Sequence, residues 1–419
     1  MNGFVEALQS FLALGPTVIL PVAIFLIGIA FGQKIGRAFR SGLTIGVAFV
    51  GIFLVVDLLV SNLGPAANGM VDRFGIELNV IDVGWPGAAS MAWASPIAAF
   101  VIPLGLLVNV LMLATKTTKT MNVDIWNFWH YTFMGALVYT ISGSMIQGLI
   151  GAVLFQIVAL KIADWTAPML ENYFELPGIS VATGSTVSYA VFIPLVKLLQ
   201  KTPVIKNWNA DPESIQKRFG VFGESIFMGL ILGIGLGLLA GYSIGDVIKI
   251  GMAMAGVMVL MPRMVKILME GLTPVSESAR AFLNKRFGDR DIYIGLDAAV
   301  AIGHPSVIST ALILVPITVA LAVILPGNNV LPFGDLATIP FIVAFIVGAS
   351  RGNIVHSVIV GTIAIALTLY MATDLAVIHT QIAVDGHFKM PEGTSLVSSL
   401  DQGGNIINYA IYKLFALFN

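Results

Sequence analysis

The sequence contains no cysteine. That excludes disulfides, thiolate metal sites and cysteine nucleophiles. Charge is also scarce: Asp, Glu, Lys and Arg make up 11% of 419 residues, far below the usage of a soluble domain. The common catalytic patterns are missing too. There is no HExxH, no GxSxG and no P-loop. A membrane-embedded enzyme therefore has little support, and no cofactor or metal is expected.

What fills the chain is apolar residue, at 57% of the total, with 43 glycines and a mean hydropathy of +0.92. Glycine at that frequency suits closely packed membrane helices. The net charge of −1 says little about partners, because the charges are segregated along the chain rather than pooled. If each apolar run crosses a bilayer, 18 of the 22 Lys and Arg residues fall on one side. Only Arg73, Lys249, Lys389 and Lys413 fall opposite. That asymmetry is the positive-inside signature, and it predicts orientation as well as class. The first apolar run, Leu12–Phe31, is too long for a signal peptide, lacks a basic start and precedes basic residues. It reads as a first span with the amino terminus outside.

A hydrocarbon core takes roughly 20 residues of helix. On that basis spans are expected at 12–31, 41–60, 95–114, 129–147, 148–163, 221–241, 246–269, 306–325, 336–350 and 353–373. The expected fold is an all-α polytopic membrane protein, one integral membrane domain over 1–419, with about ten transmembrane helices and a polar outside tail at 374–403. Two segments, about 165–199 and 292–309, fit neither spans nor ordinary loops. Pro177-Gly178 and the run Thr183-Gly184-Ser185-Thr186 interrupt the first; Gly303-His304-Pro305-Ser306 interrupts the second. Irregular backbone at membrane depth is tolerated only where protein or a cavity surrounds it, so both are read as re-entrant hairpins. Two amphipathic surface loops are the alternative. Such a pair, one per half, points to a carrier built from repeats. The repeat itself rests only on Phe31-Gly32 and Phe39 matching Phe219-Gly220 and Phe227. On the inner side, helices are expected to start at Asp211-Pro212 and at Thr273-Pro274.

Ionisable groups inside apolar runs are the costly ones and hence the candidates. Asp297, in GLDAA before the second break, can accept two hydrogen bonds from the vicinal hydroxyls of a polyol, or it can cap the broken helix. His304 can donate to a substrate oxygen or satisfy local backbone. His130 lies in an aromatic cluster with Trp126, Phe128, Trp129 and Tyr131, so it belongs either to an interfacial belt or to a site. Glu224 is a helix-start carboxylate or a substrate acceptor. Thr183, Gly184 and Ser185 give the first hairpin small groups and hydroxyls. Lys161 and Asp164, three apart, are expected to pair. The glycines of ILGIGLGLLAG lie within a span and predict close helix packing.

The blocks NLGPAANGM, VIDVGWPG, NVDIWNFWH, DPESIQKRFG, VMVLMPRMVKILMEGLTP, YIGLDAAVAIGHPSVIS and LPFGDLATIPF resemble the galactitol-type IIC component of the bacterial phosphotransferase system. They extend from about residue 12 to 404 in the expected order. More remotely the family is similar to the ascorbate carriers. The resemblance implies a homodimeric carrier in the bacterial inner membrane, with a scaffold and a core that moves as an elevator. It takes up a sugar or polyol, and separate IIB and IIA proteins supply the phosphoryl group. It also implies that Asp297 and His130 contact substrate. Two motifs depart from the family: its usual Pro-His pair is Ala182-Thr183 here, and its Gly-Glu-Pro is Gly223-Glu224-Ser225. An ion-coupled or facilitative carrier on the same scaffold is the alternative function. The segment 405–418 is apolar but too short to cross unaided.

Overall fold

The computed structural model describes residues 16–74, 79–124, 127–210, 225–287, 292–332, 334–386, 388, 390 and 395–418. The chain is mostly helical and runs through two similar series of elements. The first comprises α1 (Pro16–Ala30), α2 (Ile35–Phe74), β1 (Val80–Asp82), α3 (Gly84–Ala94), α4 (Ala98–Ala114), β2 (Thr120–Asn122), α5 (Phe128–Ser142) and α6 (Met145–Tyr173). It closes with β3 (Ile179–Val181), α7 (Gly184–Val187), a 3₁₀ turn and α8 (Ile193–Leu199). The second comprises α9 (Ser225–Leu239), α10 (Ile244–Phe287), β4 (Tyr293–Leu296), α11 (Ala299–Ile302), α12 (Pro305–Ile324), β5 (Val330–Leu331), α13 (Ile339–Ala349) and α14 (Ile354–Asp374). An added helix, α15 (Ala376–Asp385), precedes its closing pair β6 (Leu396–Ser398) and α16 (Ile406–Ala416).

Local backbone geometry supports the repeat. Left-handed residues end equivalent helices half a chain apart: Gly32 and Gly241, Lys116 and Gly327, Gly143 and Gly352. A Cβ on Gly42 would meet the carbonyl oxygen of Pro21 at 2.5 Å, and one on Gly251 would meet that of Leu230 at 3.3 Å. The two halves thus use the same helix approach in the same place. This corrects the register expected from Phe31-Gly32, because Gly32 matches Gly241 rather than Gly220. Short aromatic matches are a poor guide where most residues are apolar.

The two halves exchange strands. In one three-stranded sheet β1 lies between β5 and β6; in the other β4 lies between β2 and β3, and every pairing is parallel. Each sheet therefore takes its central strand from one half and its edges from the other. The strands are short and buried, with Thr120, Ser180, Val181, Val330, Val397 and Ser398 fully enclosed. Their ladders satisfy backbone groups at the points where helices stop inside the protein.

Among the described residues three helices, α6, α12 and α14, have the length and apolarity to cross a membrane, and shorter apolar helices occur at Phe100–Ala114, Gly184–Leu199, Gly229–Leu239, Ile339–Ala349 and Ile406–Ala416. α5 is buried without a break from Phe128 to Val138, and its repeat partner α13 from Ile342 to Gly348, so neither needs an amphipathic stripe. The helices α1, α2, α9 and α10 pack chiefly on one another. Glycine sets how closely: a Cβ on Gly229 would lie 2.6 Å from the Met254 oxygen, and one on Gly233 would lie 2.6 Å from the Ile250 oxygen. Those neighbours are backbone and cannot yield by rotamer change. Gly233→Val is expected to force α9 from α10, an overpacking cost of about 1–3 kcal/mol or more. The check is a lowered thermal midpoint of the purified protein, with Gly235→Val unaffected because nothing lies within 4 Å of Gly235.

Several sequence expectations are corrected. Spans 41–60 and 246–269 are parts of the 40-residue α2 and the 44-residue α10. Thr273-Pro274 does not open a separate helix, since α10 runs through it. At about 1.5 Å per residue α10 is roughly 66 Å long, twice a hydrocarbon core. Apolar-run length marks only the lipid-facing part of such a helix. The first break does not begin at 165, because α6 continues to Tyr173. The described part of 374–403 is no free polar tail: α15 packs on α5, β6 pairs with β1, and Ser398, Ser399, Asp401 and Gln402 are buried. Lys161 does not pair with Asp164. Its Nζ donates to the Thr117 carbonyl at 2.7 Å, while Asp164 accepts from the Thr118 and Thr120 hydroxyls and the Lys119 amide. The start at Asp211-Pro212 lies outside the described residues.

Candidate functional site

The carboxyl ends of the two sheets supply the polar residues of the interior. At the β2–β4–β3 sheet, Asp297 follows β4 and Thr183 follows β3. Asp297 Oδ1 accepts from the Ala299 amide at 2.8 Å, so the carboxylate caps the broken helix. Its Oδ2 accepts from the Thr183 hydroxyl at 3.3 Å, and Thr183 Oγ1 accepts from the Ala298 amide at 2.7 Å. Thr183 thereby ties the two breaks together. Its short hydroxyl reaches a carboxylate and a backbone amide at once.

Gly184 then makes room for His130. A Cβ at Gly184 would lie 2.6 Å from the imidazole Cγ, so only glycine lets the first break pass this close to α5. His130 is buried and packs on Trp129 with ring centroids 4.0 Å apart. Its Nδ1 lies 2.8 Å from Nε2 of Gln402. With the amide donating, Nδ1 accepts and the hydrogen sits on Nε2. Ser185 faces Asp401.

The loop between β6 and α16 provides residues that the sequence reading missed. Gln402 Nε2 donates to Asp401 Oδ2 at 3.1 Å, and Gln402 Oε1 accepts from Asn408 Nδ2 at 2.9 Å. Asn405 caps α16, donates to the Gly184 carbonyl at 3.1 Å and accepts from Ser188 Oγ at 2.6 Å. At the other sheet, Asp82 accepts from the Gly84 and Asp335 amides at 2.9 and 2.8 Å. Asp335 accepts from the amides of Trp85 and Asp401 and the hydroxyl of Thr338. These two carboxylates are occupied with holding three strand ends together. Their signal was the repeat: Asp82 ends β1 and Asp297 follows β4, and Asp124 and Asp335 come after β2 and β5, in equivalent places of the two halves. Asp401 and Gln402 escaped because a polar stretch after the last long span reads as loop.

Several buried polar atoms here have no hydrogen-bond partner among the described residues: Asp401 Oδ1, Asn408 Oδ1, Thr186 Oγ1 and both amide atoms of Asn127. Asn127 precedes His130 by three residues and so shares its helix face. Leaving such a group unsatisfied costs about 1–3 kcal/mol. Hydroxyl groups of a polyhydric ligand would offset that cost.

His304 sits elsewhere. Its Nδ1 accepts from the Ser306 amide at 3.3 Å, capping α12, and lies 3.4 Å from the Tyr173 hydroxyl. Its ring packs on Tyr173 and Phe174, and no described hydrogen bond joins it to Asp297. Glu224 lies outside the described residues. Among the described residues no group of three or more His, Asp or Glu is arranged to hold a metal ion.

The family model described as "PTS system sugar-specific permease component" matches residues 10–393. The chain is 43% identical over 414 residues to the galactitol-specific EIIC component of the PTS system of Escherichia coli K12, covering 99% of this chain and 91% of that protein. It is 40% identical over 407 residues to a putative permease IIC component of the same strain, covering 97% and 93%.

Proposed function

Because the chain belongs to the family of sugar-specific permease components of the phosphotransferase system, we propose that it carries galactitol, or a polyol of closely similar stereochemistry, across the bacterial inner membrane for phosphorylation by a IIB protein. The observation that carries the substrate reading is the set of buried, unpartnered polar atoms around the His130–Gln402 bond, next to the Thr183–Asp297 pair. Asp297 and Asp401 are acceptors, His130 Nε2–H is a donor, and Asn127 and Asn408 offer amide groups. A hexitol carries a hydroxyl on every carbon, each able to donate and to accept, which suits such a mixture better than a single charge would. Gly184 and Ser185 shape the wall, and Glu224 stays a candidate acceptor.

The two breaks act as re-entrant hairpins that move with the core of the carrier, while α1, α2, α9 and α10 form the scaffold of a homodimer. The protein itself makes and breaks no bonds; phosphoryl transfer belongs to IIB, recharged by IIA. The test is direct. Proteoliposomes holding phosphorylated IIB inside should convert labelled galactitol, added outside, to galactitol phosphate within. Accumulation of unmodified galactitol on a proton or sodium gradient, indifferent to IIB, would establish ion-coupled transport instead.

The charge asymmetry supports an inside position for the 200–210 loop and an outside position for the α9–α10 turn and the amino terminus. Two of the four opposite basic residues cluster there: Arg73 donates to the Leu238 and Leu239 carbonyls that end α9, and Lys249 pairs with Asp246 in the first turn of α10. In intact cells, cysteine at Lys249 should label fully with an impermeant maleimide, and cysteine at Asn207 should not. The reverse pattern would invert every span.

A further inference from the structure

A half-open cavity of about 680 Å³ lies between α6, α8 and the end of α13, and neither His130 nor Asp297 is among its lining residues. Lys197 and Arg351 both line it, with Trp165, Asn172 and Tyr173, and none of its described lining residues is acidic. Neither cation forms an ion pair with a described residue. Both belong to the basic set expected on the inner side, and Trp165 stands half-exposed beside them, as interfacial tryptophans do. Arg351 holds a left-handed backbone (φ +54°) immediately before Gly352, which is left-handed as well. The equivalent turn of the first half manages with Gly143 alone. Glycine would suit position 351 better, so an arginine there points to use of its side chain.

We propose that this cavity binds a phosphate group, held between the guanidinium of Arg351 and the ammonium of Lys197. Arginine's planar fork matches two phosphate oxygens, the lysine supplies a point charge, and Asn172 and Tyr173 add neutral donors. The phosphate would arrive either on the headgroup of an anionic lipid, with acyl chains along the exposed apolar faces, or on a soluble phosphate ester. The assignment does not depend on the identity of the transported sugar.

The experiment uses the full-length purified protein and two probes. Inorganic phosphate is titrated in detergent against chloride at equal ionic strength, reading the thermal midpoint. Separately, the protein is placed in bilayers of phosphatidylglycerol mixed with phosphatidylcholine, and retained phosphatidylglycerol is counted by native mass spectrometry. Lys197→Gln and Arg351→Gly should each weaken binding of a responding probe by about tenfold or more. Arg351→Gly relieves the backbone and should leave the midpoint without ligand unchanged or higher. Lys201→Gln, outside the cavity, should bind as wild type. A variant-sensitive response to inorganic phosphate identifies a soluble ester as occupant; one confined to phosphatidylglycerol identifies a lipid headgroup. No binding of either probe, binding indifferent to both cavity variants, or an equal loss in Lys201→Gln overturns the proposal.

Discussion

Galactitol affinity is expected to fall about 10- to 100-fold when Asp297 becomes asparagine, since a hydrogen bond to a charged acceptor contributes about 1.5–3 kcal/mol. The substitution preserves shape. Asparagine Oδ1 still accepts from the Ala299 amide, and its Nδ2 can donate to Thr183 Oγ1, so the tie between the two breaks survives in altered form. What disappears is the negative charge and one acceptor facing the interior. Titration calorimetry on the purified protein, with its thermal midpoint as a control for folding, checks both parts. Unchanged affinity would remove Asp297 from the binding site and leave it as a helix cap.

An effect at least as large is expected from Gly184→Ala, a change of one methyl group. That methyl would overlap Cβ, Cγ and Nδ1 of His130 at under 3 Å, in a region where the ring is already confined by Trp129 and Gln402. The imidazole must move, and with it the hydrogen bond that links α5 to the β6–α16 loop. Overpacking costs about 1–3 kcal/mol of stability, and a displaced His130 and Gln402 should abolish measurable galactitol binding. His130→Ala supplies the test of cause. In the double variant the ring is absent, so the destabilisation should be smaller than the sum of the two single changes. Binding should stay lost. Strict additivity in thermal midpoint would mean that Gly184 and His130 do not press on one another.

Much of the apolar architecture was legible beforehand because lipid imposes it. Long apolar runs gave α12, α13 and α14 nearly to the residue, and Pro and Gly in the second half marked the break after Asp297. Close packing at Gly233 followed from glycine spacing. The limits of α2 and α10 did not follow, because those helices continue into polar sequence and helix formation does not stop where lipid does. The Lys161–Asp164 pair failed for a different reason: spacing on one helix cannot see the hydroxyls of Thr118 and Thr120 approaching from another element.

The candidate site divides in the same way. Asp297, His130 and Thr183 were visible as polar residues in costly surroundings, and the structure brings Thr183 against Asp297. Asp401 and Gln402 were invisible, although Gln402 bonds His130 directly. Their stretch is polar and follows the last long span, which reads as free loop until β6 is seen pairing with β1. His304 shows the converse, a conspicuous residue at a break whose hydrogen bonds are local.

By itself, then, the sequence determined membrane residence, a helical architecture and the family, because hydropathy, charge asymmetry and extended motifs are local properties of a chain that must satisfy a bilayer. Only the tertiary structure decided which polar residues meet. Each three-stranded sheet draws its central strand from one half and its edges from the other, and the turns that follow β2, β3, β4 and β6 come from segments far apart in the chain. No local pattern encodes that exchange; it arises from burying backbone ends that neither half can satisfy alone.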